Sequence, residues 1–206
     1  MRRKEYNMSN EYTIYNQPSL IQESAKGYTH VRLEDQLFRS RKIFLNDVIN
    51  TETATSVIKQ LMVLDESDDE APISLYLCTN GGSVDAGLSI IDTINSIKAD
   101  VNTVSIGLVA SMGAVLFSCG KTRFMYPSSK LLIHDPLVTE AGGSTQKIKQ
   151  LSDSMLDYRN KIGNLLAQNC GKSLDEILKL MSLETYFTAE EALKFNIADK
   201  IITKGI

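Results

Sequence analysis

Ser111 and His134 are the residues of this chain whose types and settings could do covalent chemistry. Ser111 follows Gly107-Leu108-Val109-Ala110 and stands directly before the apolar run Met112-Gly113-Ala114-Val115-Leu116-Phe117. That pattern predicts a strand turning sharply into a buried helix, with a hydroxyl at the corner. Free backbone N–H groups and the helix macrodipole favour negative charge at such a place. His134 ends the apolar strand Leu131-Leu132-Ile133. A serine at a turn and a histidine at a strand end are two halves of a nucleophile–base pair. Each also has a plainer reading, the serine as a helix N-cap and the histidine as a structural strand end. His30 is the only other imidazole in the chain.

A third stretch adds backbone chemistry. Ile73-Ser74-Leu75-Tyr76-Leu77-Cys78 reads as a strand, and Thr79-Asn80-Gly81-Gly82-Ser83 then opens a helix running to about Ala99. A strand that ends in Gly-Gly and opens a helix presents bare N–H groups beside the strand ends. One reading is a turn that needs positive φ. The other is an oxyanion hole, in which such N–H groups meet the charge that builds on a carbonyl oxygen. The stretch fits neither the dinucleotide fingerprint nor the P-loop.

The elements that must position these groups alternate along the chain. A short helix is expected within 30–40, a strand at 42–45 and a helix from Thr51 to about Leu64. The acidic run 65–70 reads as a solvated connection. Further strands are expected at 101–106, 123–126, 130–134 and 201–203, with 184–188 extended. A long helical pattern over 145–169, closed by Gly171, reads either as a packed surface helix or as an interaction element. Ser173 with Glu176, and Thr188 with Glu191, look like capping boxes opening two more helices. Short apolar strands alternating with helices argue for an α/β layer fold with parallel pairing. Such folds place their sites at strand C-termini.

Composition excludes several classes. The 206 residues suffice for one domain with a sizeable core. A net charge of −3 points to neither nucleic acid nor an anionic membrane. Three widely spaced cysteines and two histidines suit no disulfide framework and no zinc site, and a reducing, cytoplasmic location is expected. No apolar run reaches the length of a membrane span. Residues 1–19 are polar and read as a flexible N-terminal arm or leader, and 20–206 as a single domain.

Three motifs together resemble one family. Ala110-Ser111-Met112-Gly113-Ala114, Ile133-His134-Asp135-Pro136-Leu137 and Asn80-Gly81-Gly82-Ser83 resemble the serine, histidine and glycine motifs of the ClpP family, the proteolytic subunits of Clp proteases. The likeness runs from about Pro18 to Thr203. It implies the ClpP/crotonase-like fold of repeated β-β-α units, with a protruding handle over about 137–169. It implies a serine endopeptidase in which Ser111 attacks the peptide carbonyl and His134 moves the proton. Gly82 and Met112 would supply the oxyanion hole, while Gly81, Ser83 and Val84 would hold the substrate as an added strand. It further implies no cofactor and no metal on this chain. Heptameric rings would stack into a tetradecamer, fed with unfolded polypeptide by an AAA+ unfoldase that uses the ATP, with residues 1–19 as a leader or axial segment.

The sequence departs from the family pattern at several places. The family's third triad residue is an aspartate, and Glu184 stands there. Its extra methylene bears on imidazole orientation, the loss of which can cost about 10⁴-fold in rate. Asp135 follows His134 where the family usually has glutamine, but adjacent strand side chains point to opposite faces. Ser182-Leu183 replaces an Asp-Arg ring contact, and Val138-Thr139 replaces the handle's Gly-Gly. Val109 takes the first glycine position of G-x-S-x-G. These departures keep open a weakly active subunit that partners a paralogue in mixed rings. A crotonase-type acyl-CoA enzyme would also use a backbone oxyanion hole, but would not need Ser111 with His134.

Overall fold

The computed structural model describes residues 19–24, 27–137 and 142–204. The expected N-terminal arm, Ser19 apart, and the handle's Val138-Thr139 lie outside the described residues. The chain divides into two compact units, Met1–Ser40 and Arg41–Ile206. In the first, β1 (Ser19–Ser24) pairs antiparallel with β2 (Gly27–Arg32), and α1 (Leu33–Arg39) follows. The helix expected within 30–40 thus begins only at Leu33. His30, Val31 and Arg32 are strand residues, their side chains alternating with the β1 register instead of following a helical period.

The second unit contains a five-stranded parallel sheet in the order β10-β7-β5-β4-β3. Its strands are β3 (Lys42–Leu45), β4 (Ile73–Leu77), β5 (Val101–Ser105), β7 (Arg123–Met125) and β10 (Lys200–Ile201). The sequences ISLYL and VNTVS are buried on both faces, which is why they read as near-continuous apolar runs. Helices α2 (Thr51–Ser67), α3 (Val84–Ser96) and α4 (Met112–Ser118) bury Leu61, Ile90, Ile91, Leu116 and Phe117 in the core.

The acidic run 65–70 is not simply solvated. Helix α2 continues through Ser67, and Asp65 Oδ1 accepts from the N–H groups of Lys98 and Ala99 at 3.0 and 2.8 Å. Arg41 collects the carbonyls at the end of α2, donating to Leu64 O, Asp68 O and Ala71 O at 2.8–2.9 Å. No helix of the described residues is long and apolar enough to cross a membrane.

A second, three-stranded sheet positions Ser111, His134 and Glu184 at the ends of its strands. The chain leaves β5 at Ile106, turns through Gly107 (φ 62°) and enters β6 (Leu108–Ala110), a separate strand that the sequence reading merged into the corner. Strand β6 pairs parallel with β8 (Lys130–Ile133), which pairs antiparallel with β9 (Thr185–Thr188). Helix α5 (Thr145–Cys170) buries residues only from Ile162 onward, and Ile148 and Leu156 are about half exposed (47% and 54%). Its first half therefore lacks a packed face within this unit. Gly171, in the left-handed conformation, ends it as expected. Helix α6 (Leu174–Ser182) has Ser173 Oγ accepting from Glu176 N–H, without the reciprocal bond of a full capping box. Helix α7 (Ala189–Phe195) has the full box from Thr188 and Glu191.

Arg123, with a side chain only 8% exposed, fastens the far ends of these elements. It donates to both Asp199 carboxylate oxygens at 2.8 and 2.6 Å and to Asn169 O at 2.7 Å. The hydrogen-bonded guanidinium holds the Asp199 carboxyl below its ordinary range. Its stabilisation is therefore fully present above the unfolded value of about 3.9 and is lost as pH falls through the lower folded value. Asp199→Asn is expected to lower urea stability at pH 7 by about 2 kcal/mol, because a buried guanidinium loses its partner. The same variant should show a flatter fall in stability below about pH 4 than the parent.

Candidate active site

Three segments meet at one end of the three-stranded sheet: Ser111 directly after β6, His134 directly after β8 and Glu184 directly before β9. Continuing the β8–β9 register by one step sets His134 opposite Glu184. Continuing the β6–β8 register sets Ser111 opposite Ile133, next to His134.

Ser111 occupies a corner of φ 58° and ψ −128°, which non-glycine residues seldom adopt. Two backbone bonds hold it there. Ala110 N–H donates to Thr79 O and Ser111 N–H to Leu132 O, both at 2.8 Å. The Ser111 side chain makes no helix-capping hydrogen bond. The N-cap reading of this serine is thereby removed, and its hydroxyl is left for other work. Strain of this kind costs about 1–3 kcal/mol and persists where surrounding structure imposes it.

The glycine loop packs against that corner. Thr79 Oγ1 donates to Asp47 O at 2.6 Å and accepts from Gly81 N–H at 3.1 Å, fixing the turn. Gly81 lies so close that a Cβ there would stand 2.7 Å from Ser111 Cβ and 3.0 Å from Met112 N. Ile49 donates to Gly81 O and accepts from Ser83 N–H, each at 2.8 Å. That bridge uses the groups on either side of Gly82 and leaves the Gly82 N–H unbonded among the described residues. Met112 N–H, at the first position of α4, likewise has no acceptor.

These groups line one pocket of about 410 Å³, which holds Gly82, Ser83, Val84, Ser111, Met112 and His134 together. Of the residues singled out from the sequence, Gly81 is buried behind this surface, and Glu184 does not line it. Among the described residues no hydrogen bond joins His134 to Ser111 or to Glu184. Glu184 is exposed with φ 50°, and its N–H donates to Met181 O at 3.2 Å. Asp135 N–H donates to the same carbonyl at 3.2 Å, tying the residue after His134 to the residue bearing the carboxylate. The Asp135 side chain is engaged elsewhere, accepting from Arg159 Nε at 2.8 Å. No cluster of metal-ligating side chains occurs among the described residues.

A family model for the Clp protease matches residues 25–205. The chain belongs to the Clp protease family. It is 38% identical, over 188 residues, to the ATP-dependent Clp protease proteolytic subunit of Streptococcus pyogenes serotype M5 (strain Manfredo). The match covers 90% of this chain and 96% of that relative. The same figures hold for the subunits named alike from Streptococcus pyogenes serotype M49 (strain NZ131) and Streptococcus equi subsp. equi (strain 4047). The mixed α/β architecture and the serine-peptidase class of this family are those that the three motifs implied.

Sequence reasoning missed several residues of the site. Ile49, from the segment between β3 and α2, carries no chemical signal but sets the Gly82 conformation. Thr79 was legible in principle, because a threonine two residues before glycine favours a side-chain-closed turn. Asp85 reaches the pocket from α3 and Met155, Tyr158 and Ile162 from α5, two helices that both pack on α4, which periodicity cannot show. Gly82→Ala is expected to destabilise the protein by about 3 kcal/mol in urea unfolding, since its Cβ would collide with the Ile49 carbonyl at φ 150°.

Proposed function

We propose that this Clp protease family member is a serine endopeptidase subunit that cuts unfolded polypeptide through Ser111, His134 and Glu184. The observation that carries the reading is the strained Ser111 corner, its hydroxyl unspent on capping, in one pocket with His134 and two unbonded N–H groups. His134 takes the Ser111 proton as Oγ attacks the peptide carbonyl. The N–H groups of Gly82 and Met112 receive the oxyanion. His134 then gives the proton to the leaving amine, and water repeats the sequence on the acyl-enzyme. Of the three residues expected to hold an extended substrate, Val84 has its N–H, at the first position of α3, open to main-chain pairing that tolerates many sequences. Gly81 and Ser83 have their N–H and C=O groups bonded to Thr79, Ile49 and Gly87 and act by shaping the loop beside Ser111.

The same reading places the chain in a barrel. Ile148 and Leu156 on the unpacked half of α5 suit burial against other copies, in heptameric rings stacked as a tetradecamer. An AAA+ unfoldase would supply substrate and use the ATP, so this chain needs no cofactor of its own. Cys119 and Cys170 are free thiols whose pKa values burial pushes up, the latter to about 11. Free thiols of this kind suit a reducing, cytoplasmic setting.

The left-handed Glu184 favours a second reading, a weakly active subunit completed by a paralogue in mixed rings. Aspartate tolerates that conformation better than glutamate. Turnover of a fluorogenic peptide by the purified protein separates the two. Under the first reading the parent is active, Ser111→Ala loses at least about 10³-fold in kcat, and Glu184→Gln loses about 10²–10⁴-fold. A silent parent that gains activity as Glu184→Asp would place the defect in the carboxylate.

A further inference from the structure

The pocket beside Ser111 has a polar feature that the triad does not use. Asp85, in the first turn of α3, lines it together with Tyr158 from α5. The Tyr158 hydroxyl donates to Asp85 Oδ2 at 2.6 Å, across elements far apart in the chain. That bond raises the pKa of the phenol. Asp85 Oδ1 has no donor among the described residues. Among the described residues, Asp85 is the only carboxylate on the pocket wall, and His134 is the only group there that can carry positive charge. The same wall that holds Asp85 and Ser111 includes the apolar side chains of Val84, Met112, Met155 and Ile162.

We propose that Asp85, oriented by Tyr158, is a specificity-determining residue that favours substrate side chains with an apolar stem and a cationic end, lysine or arginine, over acidic ones. The inference rests on the reading of Ser111 and His134 as the peptidase site. A lysine or arginine stem lies along apolar surface while its charged head reaches polar surroundings. Here the stem meets Met155 and Ile162, and the head meets Oδ1. A carboxylate offers about four acceptor positions, and Tyr158 takes one. A glutamate in the same place brings a second negative charge to a site that holds one, at the same apolar wall.

The test uses three fluorogenic peptides that differ only in the residue on the acyl side of the scissile bond: lysine, norleucine or glutamate. The lysine-to-glutamate ratio of kcat/KM is expected to fall about tenfold in Asp85→Asn, attraction and repulsion both being lost. In the parent the ratio should shrink at high salt. Tyr158→Phe frees Oδ2, and the ratio should equal or exceed the parent's. A ratio unchanged in Asp85→Asn overturns the proposal. So does a fall of the same size in Tyr158→Phe, which would make the pair only a tie between α3 and α5. The same ratios are read from binding of the three peptides, fluorescently labelled, to Ser111→Ala with and without Asp85→Asn. A parent that cleaves none of the peptides counts against the peptidase site, whereas the binding ratios still decide on Asp85.

Discussion

The positive-φ corner at Ser111 is the constraint on which the site depends. A serine at φ 58° is held by Thr79 O on one side and Leu132 O on the other. Those two carbonyls belong to different parts of the fold. Thr79 ends the segment after β4 of the parallel sheet, and Leu132 lies in β8 of the smaller one. The corner exists only when both sheets are in place, so the placement of Ser111 and folding are one event. The strain also spares the hydroxyl from the helix N-terminus, where an ordinary serine would spend it.

The same two-sheet design explains the two unbonded N–H groups beside Ser111. The helix of the corner supplies Met112 N–H because the first turn of any α-helix has donors without intrahelical partners. The glycine loop supplies Gly82 N–H because Ile49 binds only its neighbours, Gly81 O and Ser83 N–H. A side chain on Gly81 would crowd Ser111 itself. Two glycines are thus required for different reasons, one for room beside Ser111 and one for its own φ and the Ile49 carbonyl.

The chemistry-bearing residues were legible because each sits at an abrupt change in pattern. Ser111 stands between an apolar strand and an apolar helix, His134 at the end of Leu131-Leu132-Ile133, and Gly81-Gly82 between a strand and a helix. The parallel sheet was legible from its unbroken apolar strands. The hairpin β1–β2 was not, because Leu20, Ile21 and Tyr28 are exposed and only Val31 of its described side chains is buried, too little to show a period of two. Asp65 was hidden within an acidic run, although its bonds to Lys98 and Ala99 N–H end α3. Ile49, Asp85 and Tyr158 depend on which elements pass near one another, and no local pattern encodes that. Glu184 shows the limit of alignment by motif. Its position before β9 follows from the spacing, but its positive φ belongs to the α6 end, where its N–H donates to the Met181 carbonyl.

Covalent labelling tests the central claim, that this sheet end makes Ser111 a nucleophile served by His134. The protein would be treated with a fluorophosphonate and the modified residue located by peptide mass spectrometry, in the parent and in His134→Ala. An adduct on Ser111 that forms at least about 10²-fold more slowly in His134→Ala is the expected result. No adduct on Ser111, or equal rates in the two proteins, would contradict the account.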